Sequence, residues 1–139
     1  MLDSRVLAGI KAFNQGEYYT AHELWESVWR EAVPPEKGYY QGLIQAAMAL
    51  YHLDRGNAVG ASRLAGRALD YLKEFRSSYL GLDISQLKQF LRSLAKDNLL
   101  DPASHAVSFR QTANEYQAYP CLILCGNGIE NVEGDTNDS

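Results

Sequence analysis

Two of the three histidines, one glutamate and two glutamines are the residues of this sequence whose types and spacing suit chemistry. In the stretch FNQGEYYTAHELWESVW, His22, Glu26 and Trp29 stand at i, i+4 and i+7, so a helix sets them in one stripe. Downstream, Gln41, Gln45 and His52 fall at i, i+4 and i+11 on a second stripe. Two imidazoles and one carboxylate, His22, His52 and Glu26, suit a divalent transition metal such as zinc or manganese with positions left open for water. A metal held in that way activates water for hydrolysis. Gln45 is then an oriented amide, and Gln41 and Trp29 complete the polar cluster.

The same residues support a second reading from another class. Glu26 accepts a hydrogen bond from an imidazole, Gln45 closes the network, and the cluster is a satisfied polar core that fixes register in a non-catalytic interaction module. The first reading implies a small-molecule partner and the second a protein. Solvent access separates them: a cleft reaching His22 and Glu26 favours binding or catalysis, and a seal of Trp29 and tyrosines favours the core.

The helices that must position these groups follow from periodicity. On a wheel of about 100° per residue the apolar face of the His22 helix centres near Trp25, with Trp29 and His22 about 40° and 60° away, and Glu26 about 100°. Glu23 falls on the opposite, solvated side. Glu26 and Arg30 also form an i, i+4 pair, which draws the carboxylate outward. Trp25 and Trp29 read as core, and Arg63 with Arg67 as a solvated stripe. A short VPPEK connection implies antiparallel packing of the two helices, so that their polar stripes face each other. An unmade hydrogen bond in such a core costs about 1 to 3 kcal/mol, which makes His22 and Glu26 the expected partners of the glutamines.

The expected fold is all-α, a single compact bundle of about five helices. A first helix over 4–14 carries Val6, Leu7, Ile10 and Phe13, is capped by Asp3 or Ser4, and stops at Gly16. A second over 17–32 buries Tyr18, Ala21, Trp25, Val28 and Ala32 and ends at Pro34 and Pro35. The third, over 37–55, is apolar nearly all round and therefore central, with Gly42, Ala46 and Ala49 allowing close approach. Asn57 caps a fourth over 58–77, which turns Ala61, Leu64, Ala68, Leu72 and Phe75 inward. Asp83 caps a fifth over 84–98, with Ile84, Leu87, Leu91 and Leu94 inward.

A faint repeat of 40 residues aligns FNQGEYYTAHEL with LDRGNAVGASRL, matching Gly16 with Gly56, Ala21 with Ala61 and Leu24 with Leu64. Each copy reads as helix, tight glycine turn, helix, a hairpin resembling tetratricopeptide-like pairs. Residues 1–100 make up the bundle domain, and 101–125 an extension whose YPCLIL segment lies extended against it. The acidic stretch 126–139 lacks the apolar residues to offset its ordering entropy and is expected to be disordered.

Composition limits the function classes. The chain has 139 residues, 46% of them hydrophobic, enough for one core. Its net charge of −4 comes from Glu130, Glu133, Asp135 and Asp138, without which 13 acidic and 13 basic residues remain. A neutral body argues against nucleic acid, which needs a basic face. No run of 18 apolar residues and no signal-like N-terminus is present, so the sequence reads as cytoplasmic with no membrane partner. Cys121 and Cys125 read as reduced thiols.

FNQGEYYTAHELWESVWR and QGLIQAAMALYHLDRGNAVGASRL together resemble a widespread family of small all-helical proteins classed as a domain of unknown function. Its hallmark H-x-x-x-E-x-x-W or Y is met by His22, Glu26 and Trp29, and the resemblance covers about residues 5–75, including Gln41 to Gln45 and Gly56 to Ala61. It implies a compact helical bundle and, through the suggested metal-binding role of that motif, adds weight to His22 and Glu26. It implies no substrate and says nothing of Cys121 or Cys125.

Overall fold

The computed structural model describes residues 2–100 and 120–124, with the backbone alone over 96–100. The chain is all-α in character: α1 (Ser4–Asn14), α2 (Tyr18–Trp29), α3 (Glu36–Asp54), α4 (Ala58–Leu72) and α5 (Ser85–Leu100). Each helix packs chiefly on its neighbours in the chain, with α3 in contact with both α2 and α4. That central place follows from its sequence, since Ile44, Leu43, Ala46 and Ala49 are buried on different sides of one rod. Close approach is built in at Gly42, where a Cβ would stand 2.6 Å from Leu72 Cδ2 on α4. Gly9 likewise gives up its side chain to the ring of Trp25.

The caps are those the sequence offers. Asp3 Oδ1 accepts from Arg5 N at 2.7 Å, Asn57 Oδ1 from Gly60 N at 2.9 Å, and Asp83 Oδ1 from Ser85 N at 2.8 Å. The repeat is visible atom by atom. Gly16 and Gly56 both adopt φ +85, and each donates to the residue three before it, Phe13 or Leu53, at 3.0 Å. The next residues, Glu17 and Asn57, donate to Ala12 and His52 at 2.8 Å. Two helix hairpins thus share one glycine turn, in the left-handed conformation that costs glycine nothing.

Three expectations need correction. α2 stops at Trp29, because Glu31 N and Ala32 N bond to Val28 O and Trp29 O three residues back, a tightened turn leading into Pro34. α4 stops at Leu72 in place of 77, and the chain then forms a hairpin of β1 (Ser78–Tyr79) and β2 (Leu82–Asp83) around Leu80 and Gly81, both at positive φ. Leu7 is exposed on the outer side of α1.

The segment at 120–124 adds β3 (Ile123–Leu124) antiparallel to β2. Leu122 is buried, and Asn14 holds its backbone in both directions, Nδ2 donating to Leu122 O at 2.9 Å and Oδ1 accepting from Leu122 N at 2.8 Å. The expected disordered stretch at 126–139, most of the 101–125 extension and Cys125 lie outside the described residues. Among the described residues no helix is long and apolar enough to cross a membrane.

Candidate functional site

α2 and α3 are antiparallel, and contacts at both ends of the pair set their register. At one end Lys37 Nζ donates to Trp29 O at 2.8 Å and lies 4.2 Å from the centroid of the Trp29 ring. At the other the rings of Tyr19 and Tyr51 are 5.4 Å apart. Between these clamps, the steps along each helix bring His22 level with the turn of Gln45, Ala46 and Ala47, and Glu26 level with Gln41. The seam is amphipathic: Ala21, Trp25 and Val28 fill the core side, and beside them His22 and Glu26 from α2 and Gln45 from α3 are half-buried.

His22 Nε2 stands 3.9 Å from Glu26 Oε1, with 17% of the His22 side chain and 39% of the Glu26 side chain exposed, so the pair spans the boundary between core and water. Glu26 Oε1 is also 3.5 Å from Arg30 Nη2. That second pair is a surface one, worth about 0.3 to 0.5 kcal/mol, and is readily exchanged. The face of His22 is covered by Tyr19, whose ring centroid is 5.1 Å away. Two buried atoms of the seam find no hydrogen-bond partner among the described residues: His22 Nδ1 and Gln45 Oε1. Buried polar atoms are nearly always satisfied, so two such atoms on facing helices mark a place where something else supplies the bonds.

His52 is not brought to this group. It follows Tyr51 beyond the aromatic clamp, its ring centroid 5.6 Å from that of Tyr51 and its Nδ1 3.5 Å from Asn57 Nδ2, at the turn into α4. The expected set of His22, Glu26 and His52 is therefore not assembled around one point. Among the described residues no three His, Cys, Asp or Glu side chains are placed to share a metal ion. The cause is the register, which leaves His52 past the end of the polar seam.

The third residue of the motif is also elsewhere. Trp29 and Gln41 line an open groove of about 710 Å³ at the end of the bundle, together with Pro34, Pro35 and Lys37 on one side and Asp70, Tyr71, Glu74 and Phe75 on the other. His22 and Glu26 are not in its wall. On the α4 side of this groove, the two pairs Asp70 and Glu74, Tyr71 and Phe75, each four residues apart, are the sequence signal of a mixed acidic and aromatic face.

A bundle of neighbour-packed helices with a His/Glu pair on the polar seam of its second and third helices is a small all-helical protein of hairpin type. Over residues 6–64 the chain matches the family described as Domain of unknown function (DUF309). Similar proteins include "Uncharacterized protein YpuF" of Bacillus subtilis (strain 168), 40% identical over 81 residues, which are 56% of this chain and 47% of that protein. A second, "Uncharacterized protein" of Aquifex aeolicus (strain VF5), is 31% identical over 84 residues, 60% of this chain and 25% of that protein. The chain thus spans about half the length of the first relative and a quarter of the second. The family match runs from α1 into α4 and takes in the whole polar seam, but stops before Asp70.

Proposed function

We propose that the α2–α3 seam is a binding site for a hydrated divalent cation, with His22 and Glu26 as its protein ligands and the Gln45 amide oxygen as a further acceptor. The observation that carries the reading is the pair of unpartnered buried atoms, His22 Nδ1 and Gln45 Oε1. Gln45 Oε1 is an acceptor, and His22 Nδ1 is one in the neutral tautomer that keeps its proton on Nε2, toward Glu26; a cation or its water is what two acceptors need. The donor set fits an open, water-rich site: one imidazole, one carboxylate and one amide oxygen suit manganese at least as well as zinc, which favours a closed set of nitrogen and sulfur. A bound cation would supply Lewis acidity toward a water molecule, the chemistry of a hydrolase-like pocket. The residues themselves orient it, Tyr19 by covering the imidazole face and Glu26 by exchanging Arg30 for the ion.

A second reading rests on the cover over His22. With its face closed by Tyr19 and the groove ending at Trp29 and Gln41, the cluster would serve as a polar core within an interaction module. Titration of untagged protein with Mn²⁺, read by the electron paramagnetic resonance of the free ion, separates the two. Wild type binds one ion, His22→Ala abolishes binding and Glu26→Gln weakens it, all three proteins keeping the same helical circular dichroism. No ion bound by wild type, or equal binding in all three, contradicts the cation site. Loss of helicity in both variants supports the structural core.

A further inference from the structure

We propose that the groove at the end of the bundle docks a basic segment of a partner polypeptide, an arginine or lysine flanked by apolar side chains. This goes beyond the cation site and uses different residues. The groove is walled by the aromatic rings of Trp29, Tyr71 and Phe75, and Pro34 and Pro35 give it a stiff edge. Its volume, about 710 Å³, suits a few side chains. Tyr71 keeps 42% of its surface exposed.

Charge complementarity selects the occupant. Asp70 and Glu74 both line the groove, and among the described residues Glu74 makes no ion pair, while Asp70 has only Lys73 at 4.0 Å, both side chains largely exposed. α2 and α4 end here, at Trp29 and Leu72, and α3 begins here at Glu36, so two negative helix ends and one positive one border the groove. Glu36 adds a further charge at this end of the bundle, where the phenols of Tyr40 and Tyr79 are pushed up first by burial and then by the Glu36 carboxylate.

The chain already places one cation in this way. Lys37 sets its ammonium over the Trp29 ring and on the Trp29 carbonyl, one positive charge on the α2 side against the two carboxylates of the α4 side, so the lining keeps a net negative charge for a ligand. Nucleic acid and acidic lipid are repelled by these charges.

The test uses a fluorescein-labelled peptide of alternating arginine and leucine, with versions carrying glutamine or glutamate in place of arginine, read by fluorescence polarisation on the full chain. The arginine peptide binds, the glutamine peptide binds about tenfold or more weakly, and the glutamate peptide does not bind. Asp70→Asn with Glu74→Gln, and separately Tyr71→Ala, each weaken the arginine peptide by about tenfold with unchanged circular dichroism. These positions are exposed, so the fold survives both changes. No binding of the arginine peptide, equal binding of all three peptides, or wild-type binding by the double variant overturns the proposal.

Discussion

A single guanidinium fastens the first two helices. Arg5 Nη2 pairs with Asp3 Oδ2 and with Glu31 Oε1, each at 2.9 Å, and its Nη1 donates to Ser27 Oγ at 2.9 Å, so the start of α1 is tied to the end of α2. The Arg5 hydrogen bonds hold the Asp3 carboxyl at about 2, below its ordinary 3.8, and Glu31 is lowered by the same partner. A carboxylate depressed in the folded state contributes stability that is complete above its unfolded value, and that stability is lost as pH falls through the folded one. Acidification from about pH 4 to pH 2 should therefore weaken wild type more than Arg5→Met. Side-chain carbonyl chemical shifts should place the Asp3 midpoint near 2 in wild type and back in the ordinary range in the variant. Both effects being absent would show that the network is not formed in solution. No periodic signal announces this contact, because it joins residues more than 20 positions apart through polar tips that a helical wheel assigns to solvent.

The elements were far more legible. Apolar spacing locates the five helices of the described residues, and Asp3, Asn57 and Asp83 read correctly as caps because short polar side chains bond locally to backbone amides. The hairpin at 78–83 was missed since strands of two residues carry no alternation, and Leu80 at φ 55 is an unlikely residue for that turn. His52 was placed with His22 because both lie on polar stripes, yet which parts of two stripes meet depends on the clamps at Trp29 and Tyr51, and spacing within one helix cannot report them. The shared glycine turn yields a quantitative expectation. Gly16→Ala and Gly56→Ala should each cost about 1 to 2 kcal/mol, since each forces a Cβ into the left-handed region. Gly42→Ala should cost about 1 to 3 kcal/mol through contact with Leu72. Urea denaturation of the three variants checks both statements: an unaffected Gly16→Ala would contradict the turn, and an unaffected Gly42→Ala the α3–α4 approach.

At the scale of the molecule, two surfaces with different chemistry occupy one short bundle. The polar seam lies wholly within the matched family region, whereas the α4 side of the groove lies past its end, so the proposed cation site is the feature to expect in relatives and the proposed peptide groove the one to expect to vary. Both depend on α3, which carries Gln45 in the seam and Gln41 in the groove wall. The arrangement of the seam makes a sharp distinction between the two described histidines. Adding Mn²⁺ in small amounts to isotopically labelled protein and recording imidazole and side-chain amide resonances tests it directly. Paramagnetic broadening should remove the His22 ring and Gln45 amide signals first, with the His52 ring still sharp. Equal broadening of His22 and His52, or none at either, would contradict a cation held between α2 and α3.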